Sequence, residues 1–369
     1  MAPDETAPAR LAESVLSSAI HIKSGENVII ETWSHTLPYA AACVVEARRR
    51  GARPLLLLED EGAYWRSLDL APTVAKWSGV GKAEWAALAQ ADGYVFFPGP
   101  ADRPRFRSLP LATRGKLVGY NDEWYRRARS ARLRGVRSLL GYASDAQATH
   151  WSVSGPTWRD QLVRGTVEAN YAQIQADGRR VAQKLRGGKE LRITGSNGSD
   201  LTVKLRGRRP TSDDGVIGPD DLSSGQNLTN SPPGTVAVAV DEKSAQGLVV
   251  ANRPSYLADG RVEGGQWEVK EGHLVNHWYT DGQPAFDGAY EGAPKNKDVL
   301  SFFAIGLNAA LDPGVPQVED QEAGAVTLGI GGNTGYGGSN RCPFFSWIVL
   351  GEATVAVDGR PLADRGKIL

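Results

Sequence analysis

The first half of the chain alternates short apolar runs with helical patterns, and this alternation constrains the fold more than any other feature. The runs "ENVIIET", "RPLLLLED", "DGYVFFPG" and "GKLVGYND" are expected to be strands, and segments such as "LPYAAACVVEARRRGA" have apolar residues at helical spacing. Strands that alternate with helices form an open, mainly parallel sheet, because each helix carries the chain back to start the next strand. The sequence therefore predicts an α/β N-terminal domain.

The pattern changes near residues 150–190, which is where we predict the domain boundary. The stretch 157–188 is typical of one long helix that ends at Gly187-Gly188. The chain then becomes rich in strands and turns, with a predicted hairpin at Asn197-Gly198 and one further helix, "NKDVLSFFAIGLNAAL". The polar stretch "TSDDGVIGPDDLSSGQNLTNSPPG" is expected to be a long functional or mobile loop. We predict an α/β domain at 1–165 and a β-rich α+β domain at 166–369.

Composition excludes several classes of function. Hydrophobic residues make up 41% of the 369 residues, enough for a large core. Lys plus Arg and Asp plus Glu number 42 each, so no net charge favours nucleic acid, and the basic run "WYRRARSARLRGVR" is interpreted as a solvated helical face. The two cysteines exclude a disulfide framework or a zinc cluster.

The N-terminus and the apolar runs of the sequence indicate where in the cell the protein is expected. The N-terminus "MAPDETAPAR" is polar, and no apolar run approaches the ~18 residues of a membrane span. We expect a cytoplasmic protein without a membrane partner.

Four segments of the second half resemble a known family. They are "NSPPGTVAVAVDEKSAQGLVVANRP", "FAIGLNAAL", "EDQEAGAVTLGIGG" and "GGSNRCPFFSWIVLGEATVAVDGRPLADRGK". In order and spacing they are similar to the landmarks of the M29 metallo-aminopeptidases of the aminopeptidase T type. "SGENVII", "GTVEANYAQIQADGRRVAQKL" and "LRITGSNGSDLTVKL" fit the same family, so the resemblance covers nearly the whole chain. It implies the aminopeptidase T fold, a homodimer and two metal ions held by Glu, His, Tyr and Asp.

The metal ligands that the resemblance implies do not carry over. Thr235 stands at the position of the first glutamate, Phe302 at or beside the second, and Thr327 at that of a histidine. Phe345 and Trp347 stand at the closing histidine and aspartate, and Tyr336 near the family's tyrosine. Divalent metals need several N, O or S ligands that converge on one point, which Phe and Trp cannot supply. We predict a member of the fold that binds no metal cofactor and is not a metallopeptidase.

Other residues offer weak alternatives as metal ligands. His273 and His277 lie in a predicted strand, where residues four apart are more than ~12 Å apart. Asp213, Asp214, Asp220 and Asp221 lack the alternation of a calcium loop, and we interpret them as solvated.

The aromatic substitutions predict a changed pocket. Phe302, Phe345 and Trp347 would bind a flat aromatic molecule by burial and stacking, or would fill a dead cavity as core. His150, at the domain boundary, is a further candidate for substrate binding, although hydrogen bonding within a loop is the commoner explanation for such a residue.

The catalytic candidates are polar residues near these aromatics. They are Thr235, Thr327, Tyr336, Asn340 and Cys342. A hydroxyl beside an amide can orient water or stabilise developing negative charge. Cys342 as a nucleophile needs a nearby histidine, and a structural thiol is the alternative.

The sequence therefore predicts a metal-independent enzyme, a hydrolase or lyase, acting on a small and aromatic substrate. Two alternatives stay open. One is a non-catalytic subunit or binding protein that works with a second subunit. The other is a residual metal-dependent aminopeptidase or ring-cleaving dioxygenase, since some relatives of this fold are such dioxygenases.

Overall fold

The computed structural model describes residues 6–70 and 78–369. The α-helices are α1 Ala7–Ser14, α2 Leu37–Arg49, α3 Glu61–Leu70, α4 Lys82–Ala89, α5 Arg103–Ser108, α6 Leu111–Leu117, α7 Asn121–Ser130, α8 Asp145–His150, α9 Gly155–Val167, α10 Tyr171–Gly187, α11 Pro219–Ser224 and α12 Gln283–Glu291. Short π or 3-10 turns lie at Val15–Ala19, Ser34–Thr36, Leu139–Tyr142 and Thr334–Tyr336.

The strands follow the same chain order. They are β1 Asn27–Trp33, β2 Arg53–Glu59, β3 Gly93–Phe96, β4 Arg134–Ser138, β5 Glu190–Thr194, β6 Asp200–Lys204, β7 Thr211–Asp213, β8 Leu228–Ser231, β9 Thr235–Ala239, β10 Gln246–Val250, β11 Ser255–Leu257, β12 Gly260–Val262, β13 Gln266–Lys270, β14 His273–Trp278, β15 Leu300–Gly306, β16 Val326–Gly331, β17 Phe345–Leu350, β18 Thr354–Val357, β19 Arg360–Asp364 and β20 Lys367–Ile368.

The first compact unit contains the parallel sheet that the sequence predicts. It comprises the chain up to Glu168 together with Gly215–Pro232, and its sheet has the order β2-β1-β3-β4-β8 with every pair parallel. Helices that carry the chain from one strand to the next produce this arrangement. The predicted α/β fold class is confirmed here.

The second compact unit is β-rich and antiparallel, as predicted. It comprises Ala169–Asp214 and Pro233–Leu369. An eight-stranded sheet has the order β14-β13-β10-β6-β5-β18-β19-β20, a five-stranded sheet has the order β17-β16-β15-β9-β7, and β11 pairs with β12. The main core of this unit includes one face of the five-stranded sheet and contains Trp267, Phe286 and Phe303.

Several local predictions were wrong. "GKLVGYND" forms the end of α6 and the start of α7, and the fourth strand is β4, whose sequence "RGVRS" has no apolar run. The segment predicted as a helix around residues 300–306 is β15, buried on both faces. A fully buried strand shows no alternation, so its pattern does not differ from that of a buried helix.

The long helix and the long loop are also different from the prediction. The stretch 157–188 forms two helices, because α9 ends at Val167 and α10 begins only after Asn170. The Asn170 side chain caps α10 by accepting a hydrogen bond from the backbone N–H of Gln173. The stretch 211–234 contains β7, α11 and β8. Among the described helices, none is both long and apolar enough to cross a membrane.

Candidate functional site

One face of the five-stranded sheet carries the residues that stand at the metal positions implied by the resemblance. Side chains alternate between the two faces of a strand. On one face they enter the main core: Val236, Val238, Phe303, Ile305, Leu328 and Ile348. On the other face lie Thr235, Phe302, Thr327, Phe345 and Trp347. The structure therefore brings five predicted site residues to one surface.

Four aromatic rings form a series on this face. The Phe302 ring stacks on Tyr336, with centroids 4.4 Å apart and an interplanar angle of 13°, and on Phe345 at 5.3 Å and 14°. Phe345 contacts Trp347, with centroids 5.5 Å apart. Phe302 is 3% exposed, Phe345 is 39% exposed, and Tyr336 and Trp347 are half-buried, so Phe345 is the most exposed ring of the series.

The missing side chain of Gly329 gives the Phe302 ring of this series its space. It lies between Phe302 of β15 and Trp347 of β17 in the strand register. A Cβ atom at Gly329 would lie 1.8 Å from the Phe302 ring. Beside it, the same face carries the small residues Ala237 and Ala304, both buried.

The glycine-rich loop after β16 positions Tyr336. The Asn333 amide donates to the Ser301 carbonyl oxygen at 3.2 Å and to Glu242 Oε1 at 3.0 Å. The Ser339 backbone N–H also donates to Glu242 Oε1, at 3.0 Å. Gly338 has to be glycine, because a Cβ atom there would lie 2.1 Å from the Asn333 side chain. Hydrogen bonds on both sides of Tyr336 therefore hold the loop in place.

Glu242 holds this loop as an anion. Burial acts to raise the pKa of its carboxyl, but hydrogen bonds from Arg208, Ser339 and Asn333 outweigh it and lower the pKa to about 2. Both Nη2 contacts of Arg208 to this carboxylate are short, at 2.8 and 2.6 Å.

Asn340 and Cys342, predicted as catalytic, lie in the same loop. The Asn340 side chain is buried; its amide donates to the carbonyl oxygens of Asn296 and Gly331, and its oxygen accepts from the Cys342 backbone N–H. These bonds hold the loop backbone together. Cys342 is a free, partly exposed cysteine. Their catalytic roles stay predictions.

Thr235 and Thr327 are the polar residues of the site face. Both Oγ1 atoms are buried and neither forms a hydrogen bond. Thr327 lies opposite Ala304, and Thr235 opposite Gly306. A buried hydroxyl without a partner costs about 1–3 kcal/mol, so these two positions can accept a water or a polar group of a ligand.

Glu319 is a site residue that the sequence analysis missed. It is 1% exposed, and its Oε1 accepts a 3.1 Å hydrogen bond from Trp347 Nε1. Oε2 is buried and accepts no hydrogen bond of normal geometry. Burial, and next the nearby Asp320, raise the pKa of Glu319 to about 8, against the weaker effect of nearby N–H groups. Glu319 therefore carries a proton at neutral pH.

Asp320, next to Glu319, is a second carboxyl with a raised pKa. Burial raises its pKa to about 6, and the negative charge of Asp213 acts in the same direction. The 319–322 segment is fixed by Arg253, which forms two hydrogen bonds with Glu322 at 3.0 and 3.1 Å.

The histidines do not gather at this site. His150 is exposed at the end of α8, in the first unit. His273 bonds to Asp298 and His277 to Asp287, each as a separate pair. Within residues 6–70 and 78–369, no group of three or more His, Cys, Asp or Glu could hold a metal ion.

Comparison with known proteins shows the fold. No protein-family model matches the chain, and none of the curated proteins matches it significantly. Wild-type AmpT from Thermus thermophilus has a similar structure, with a TM-score of 0.68 and 18% identity over 98% of this chain and 99% of that one.

A second solved structure is similar as well. The 2,5-dihydroxypyridine dioxygenase from Pseudomonas putida KT2440 has a TM-score of 0.65 and 14% identity, over 98% of this chain and 96% of that one. The second protein is named as an enzyme. The chain therefore has an AmpT-like fold, which at least two different activities share.

Proposed function

We propose that the protein is a metal-independent enzyme that binds a small planar aromatic molecule on the aromatic series and uses Glu319 as its proton donor and acceptor. The observation that carries the proposal is the hydrogen bond between Trp347, the last ring of the series, and the buried Glu319 carboxyl. It joins a surface for ring binding to a group that can transfer a proton.

The proposed place for a ligand is the most exposed part of the series, at Phe345 and Trp347. Phe302 and Tyr336 are 4.4 Å apart, so no ring fits between them. The faces of Phe345 and Trp347 are partly exposed. An aromatic ligand in contact with them gains about 0.5–1.5 kcal/mol for each ring pair beyond the burial of its area.

The proton chemistry belongs to Glu319. A general acid works best when its pKa is near the pH of the cell. The pKa of about 8 gives Glu319 a proton to donate to a leaving group, and the resulting carboxylate can take a proton back from water or carbon. A hydrolase and a lyase both need such a step. Thr235 and Thr327, with unbonded hydroxyls on the same face, are proposed to hold a water or a substrate oxygen.

The residues present do not fit a dinuclear metal centre. The positions that the resemblance assigns to its ligands carry Thr235, Phe302, Thr327, Phe345 and Trp347 on one sheet face. The two threonine hydroxyls are weak neutral ligands, and the three aromatic side chains supply no N, O or S ligand of the usual kind. We therefore derive no step through a metal.

The substrate class is proposed from the rings and from one similar structure. The Pseudomonas putida protein acts, by its name, on 2,5-dihydroxypyridine. A hydroxylated six-membered heterocycle would stack on Phe345 and Trp347, beside the Glu319 carboxyl that Trp347 contacts. We propose this class of compound as the substrate.

A binding protein without catalysis is the second candidate. The close packing of Phe302 on Tyr336 favours it, because these rings fill part of the site face themselves. In that case Glu319 would act only as a hydrogen-bond donor to the ligand.

A titration tests the binding step. The full chain is titrated with 2,5-dihydroxypyridine by isothermal calorimetry, and we expect saturable binding. Phe345→Ala removes the exposed ring and should weaken binding about 2- to 12-fold, as expected for the loss of 0.5–1.5 kcal/mol. Trp278→Ala, at a 52% exposed aromatic of the eight-stranded sheet, is the matched control and should leave binding unchanged. Equal effects of the two substitutions would contradict the proposed surface.

A second experiment separates enzyme from binding protein. Product formation from a panel of hydroxypyridines and hydroxybenzoates is followed by chromatography after dialysis against chelator. Glu319→Gln keeps an oxygen for Trp347 Nε1 but cannot transfer a proton, so we expect retained binding and a turnover at least ~10²-fold lower. Binding without turnover in the wild-type protein would favour the binding protein, and turnover that depends on added metal would contradict metal independence.

A further inference from the structure

Three loops of the first unit meet at the carboxyl ends of its parallel strands. In the sheet, β2 lies on one side of β1 and β3 on the other, so the winding direction switches between β1 and β3. Open α/β sheets bind their ligands at the carboxyl ends of the strands near such a switch. Here His35 Nε2, after β1, donates to the Gly141 carbonyl oxygen at 2.9 Å, and Ser144 Oγ donates to that of Ala101 at 2.5 Å. These bonds join the loops after β1, β3 and β4.

Two half-buried arginines at this end of the sheet have no acidic partner. Arg137 lies in β4, and its Nε donates to Asn230 Oδ1 at 2.9 Å. Arg103 lies in α5, directly after the β3 loop, with its guanidinium carbon 4.3 Å from the centre of the Tyr142 ring. Neither arginine forms an ion pair with a residue that the structure describes, and no described group accepts a hydrogen bond from the Arg103 guanidinium.

The two guanidinium groups are close enough to affect each other. Burial, and in the same direction the positive charge of Arg137, lower the pKa of Arg103, against the opposite effect of Tyr142. Like charges that are partly removed from water repel each other more strongly than they do at an exposed surface. The pair is therefore unfavourable for the fold unless an anion compensates it.

The acids near Arg103 in the fold are bound by backbone groups. Asp102 accepts a hydrogen bond from the Arg105 backbone N–H at 3.0 Å. Glu61 accepts from the backbone N–H groups of Ala101 and Asp102, at 2.9 and 3.2 Å. Neither carboxylate forms an ion pair with either arginine, so the positive charge of the pair stays uncompensated by the described part of the chain.

A buried amide beside the same loops also has no partner. Gln147 is 0% exposed, and neither its Nε2 nor its Oε1 forms a hydrogen bond. It belongs to α8, which packs against α5. Its backbone N–H donates to Ser144 Oγ, the hydroxyl that also bonds to the loop after β3. Buried polar groups nearly always have a partner, so Gln147 is a second and independent indication of a polar ligand.

We propose that this end of the parallel sheet binds a phosphate group between Arg103 and Arg137, with the Gln147 amide as a further donor. A guanidinium group presents two parallel N–H groups that fit two phosphate oxygens. Two positive charges match a phosphate, which carries about −1.5 to −2 at neutral pH, whereas a single carboxylate would compensate only one of them. The site does not rest on the proposed function, whose residues all lie in the second unit.

Calorimetry on the full chain tests the site. The protein is titrated in a phosphate-free buffer with inorganic phosphate and, separately, with glycerol 3-phosphate, at constant ionic strength. We expect saturable binding. Tighter binding of glycerol 3-phosphate would identify a phosphate ester as the ligand, and equal or tighter binding of inorganic phosphate would identify the free ion.

Substitution of each arginine should remove this binding. Arg103→Gln and Arg137→Gln each delete charge-assisted hydrogen bonds and should weaken binding at least ~10-fold. Arg66→Gln, at an exposed arginine of α3 in the same unit, is the matched control and should leave binding unchanged.

Thermal unfolding gives a second readout that does not depend on the stability of the variants themselves. Phosphate should raise the melting temperature of the wild-type protein and of Arg66→Gln, and it should leave that of Arg103→Gln unchanged. Several results would overturn the proposal: no saturable binding of either phosphate compound, tighter binding of citrate than of phosphate, or a loss of binding in Arg66→Gln as large as in Arg103→Gln.

Discussion

The Trp347 indole N–H donates a 3.1 Å hydrogen bond to the Glu319 carboxyl, and the two residues lie 28 positions apart in the sequence. The bond fixes an aromatic ring and an acid relative to each other on one side of the sheet. A Trp side chain donates only, so it stabilises Glu319 whether the carboxyl is protonated or not. Burial decides between the two forms, and it favours the protonated one.

Glu319→Gln should change how stability depends on pH. The pKa of Glu319 is about 8 in the folded protein and near 4.5 when unfolded, so the folded state holds an extra proton between these values. The free energy of unfolding therefore falls as pH rises through this window, by up to a few kcal/mol at ~1.4 kcal/mol per pKa unit. The variant should lose the part of this decline that Glu319 causes, while Asp320, whose pKa is also raised, keeps a smaller decline below about pH 6.

Urea unfolding at pH 5 and pH 8 measures the effect. Glu291→Gln, at an exposed position at the end of α12, is the control and should keep the wild-type decline. A decline as large in Glu319→Gln as in the wild type would show that other groups cause it.

Substitutions of two neighbouring phenylalanines on opposite faces of β15 should have different effects, one on ligand binding and the other on stability. Phe302 belongs to the aromatic series and Phe303 to the main core. Phe302→Leu removes the ring that supports Phe345 from behind and should weaken the binding of 2,5-dihydroxypyridine, but by less than Phe345→Ala, because the ligand does not contact Phe302 itself. Phe303→Leu should cost up to ~1.5 kcal/mol of stability and leave binding unchanged. Calorimetry and urea unfolding on both variants test this, and the reverse result would place the ligand elsewhere.

Gly329→Ala should destabilise the protein. The added Cβ atom would lie 1.8 Å from the Phe302 ring, inside van der Waals contact, so the ring has to move. Overpacking of this kind costs about 1–3 kcal/mol. Gly335→Ala, where nothing lies within 4 Å of the added atom, should change stability little. Thermal unfolding compares the two, and equal melting temperatures would mean that the ring moves without cost.

Glu242→Gln should loosen the glycine-rich loop. The half-buried carboxylate joins Arg208, Asn333 and Ser339, and the loss of hydrogen bonds to such a charged group costs about 1.5–3 kcal/mol. We expect faster amide exchange at Ser339 in hydrogen-exchange measurements. Unchanged exchange would mean that Asn333 and Asn340 alone hold the loop.

The loss of stability in Glu242→Gln should also depend on pH. The pKa of Glu242 is lowered to about 2, so its contribution is complete above the unfolded pKa near 4.5 and is lost as the pH falls toward 2. The stability difference between wild type and Glu242→Gln should therefore shrink in acid. A constant difference from pH 7 to pH 3 would contradict the assigned ion pair.

The sequence predicted the fold class because strand and helix patterns alternate clearly in the first half. It predicted that Phe302, Phe345 and Trp347 share one surface, and the strand register places them there. It failed for β15, where burial on both faces removes the period of two.

Glu319 shows why part of the site could not be predicted. It opens "EDQEAGAVTLGIGG", one of the segments that carry the family resemblance, but the ligand positions implied there do not include it, and acidic residues in polar turns are usually solvated. Its burial depends on contacts with Trp347 and with the neighbourhood of Tyr256, which come from distant parts of the sequence. Only the folded chain shows that this acid is buried.

The strand β8 completes the parallel sheet of the first unit from residues 228–231, after the chain has already formed α10 and β5–β7 of the second unit. During synthesis, β4 therefore remains an open edge until about sixty residues beyond α9 have left the ribosome. A fragment cut after α9 would present that same edge to its neighbours, so the N-terminal unit should aggregate when expressed without residues 215–232. The order of the strands makes the first half of this protein depend, for its solubility, on a segment made later.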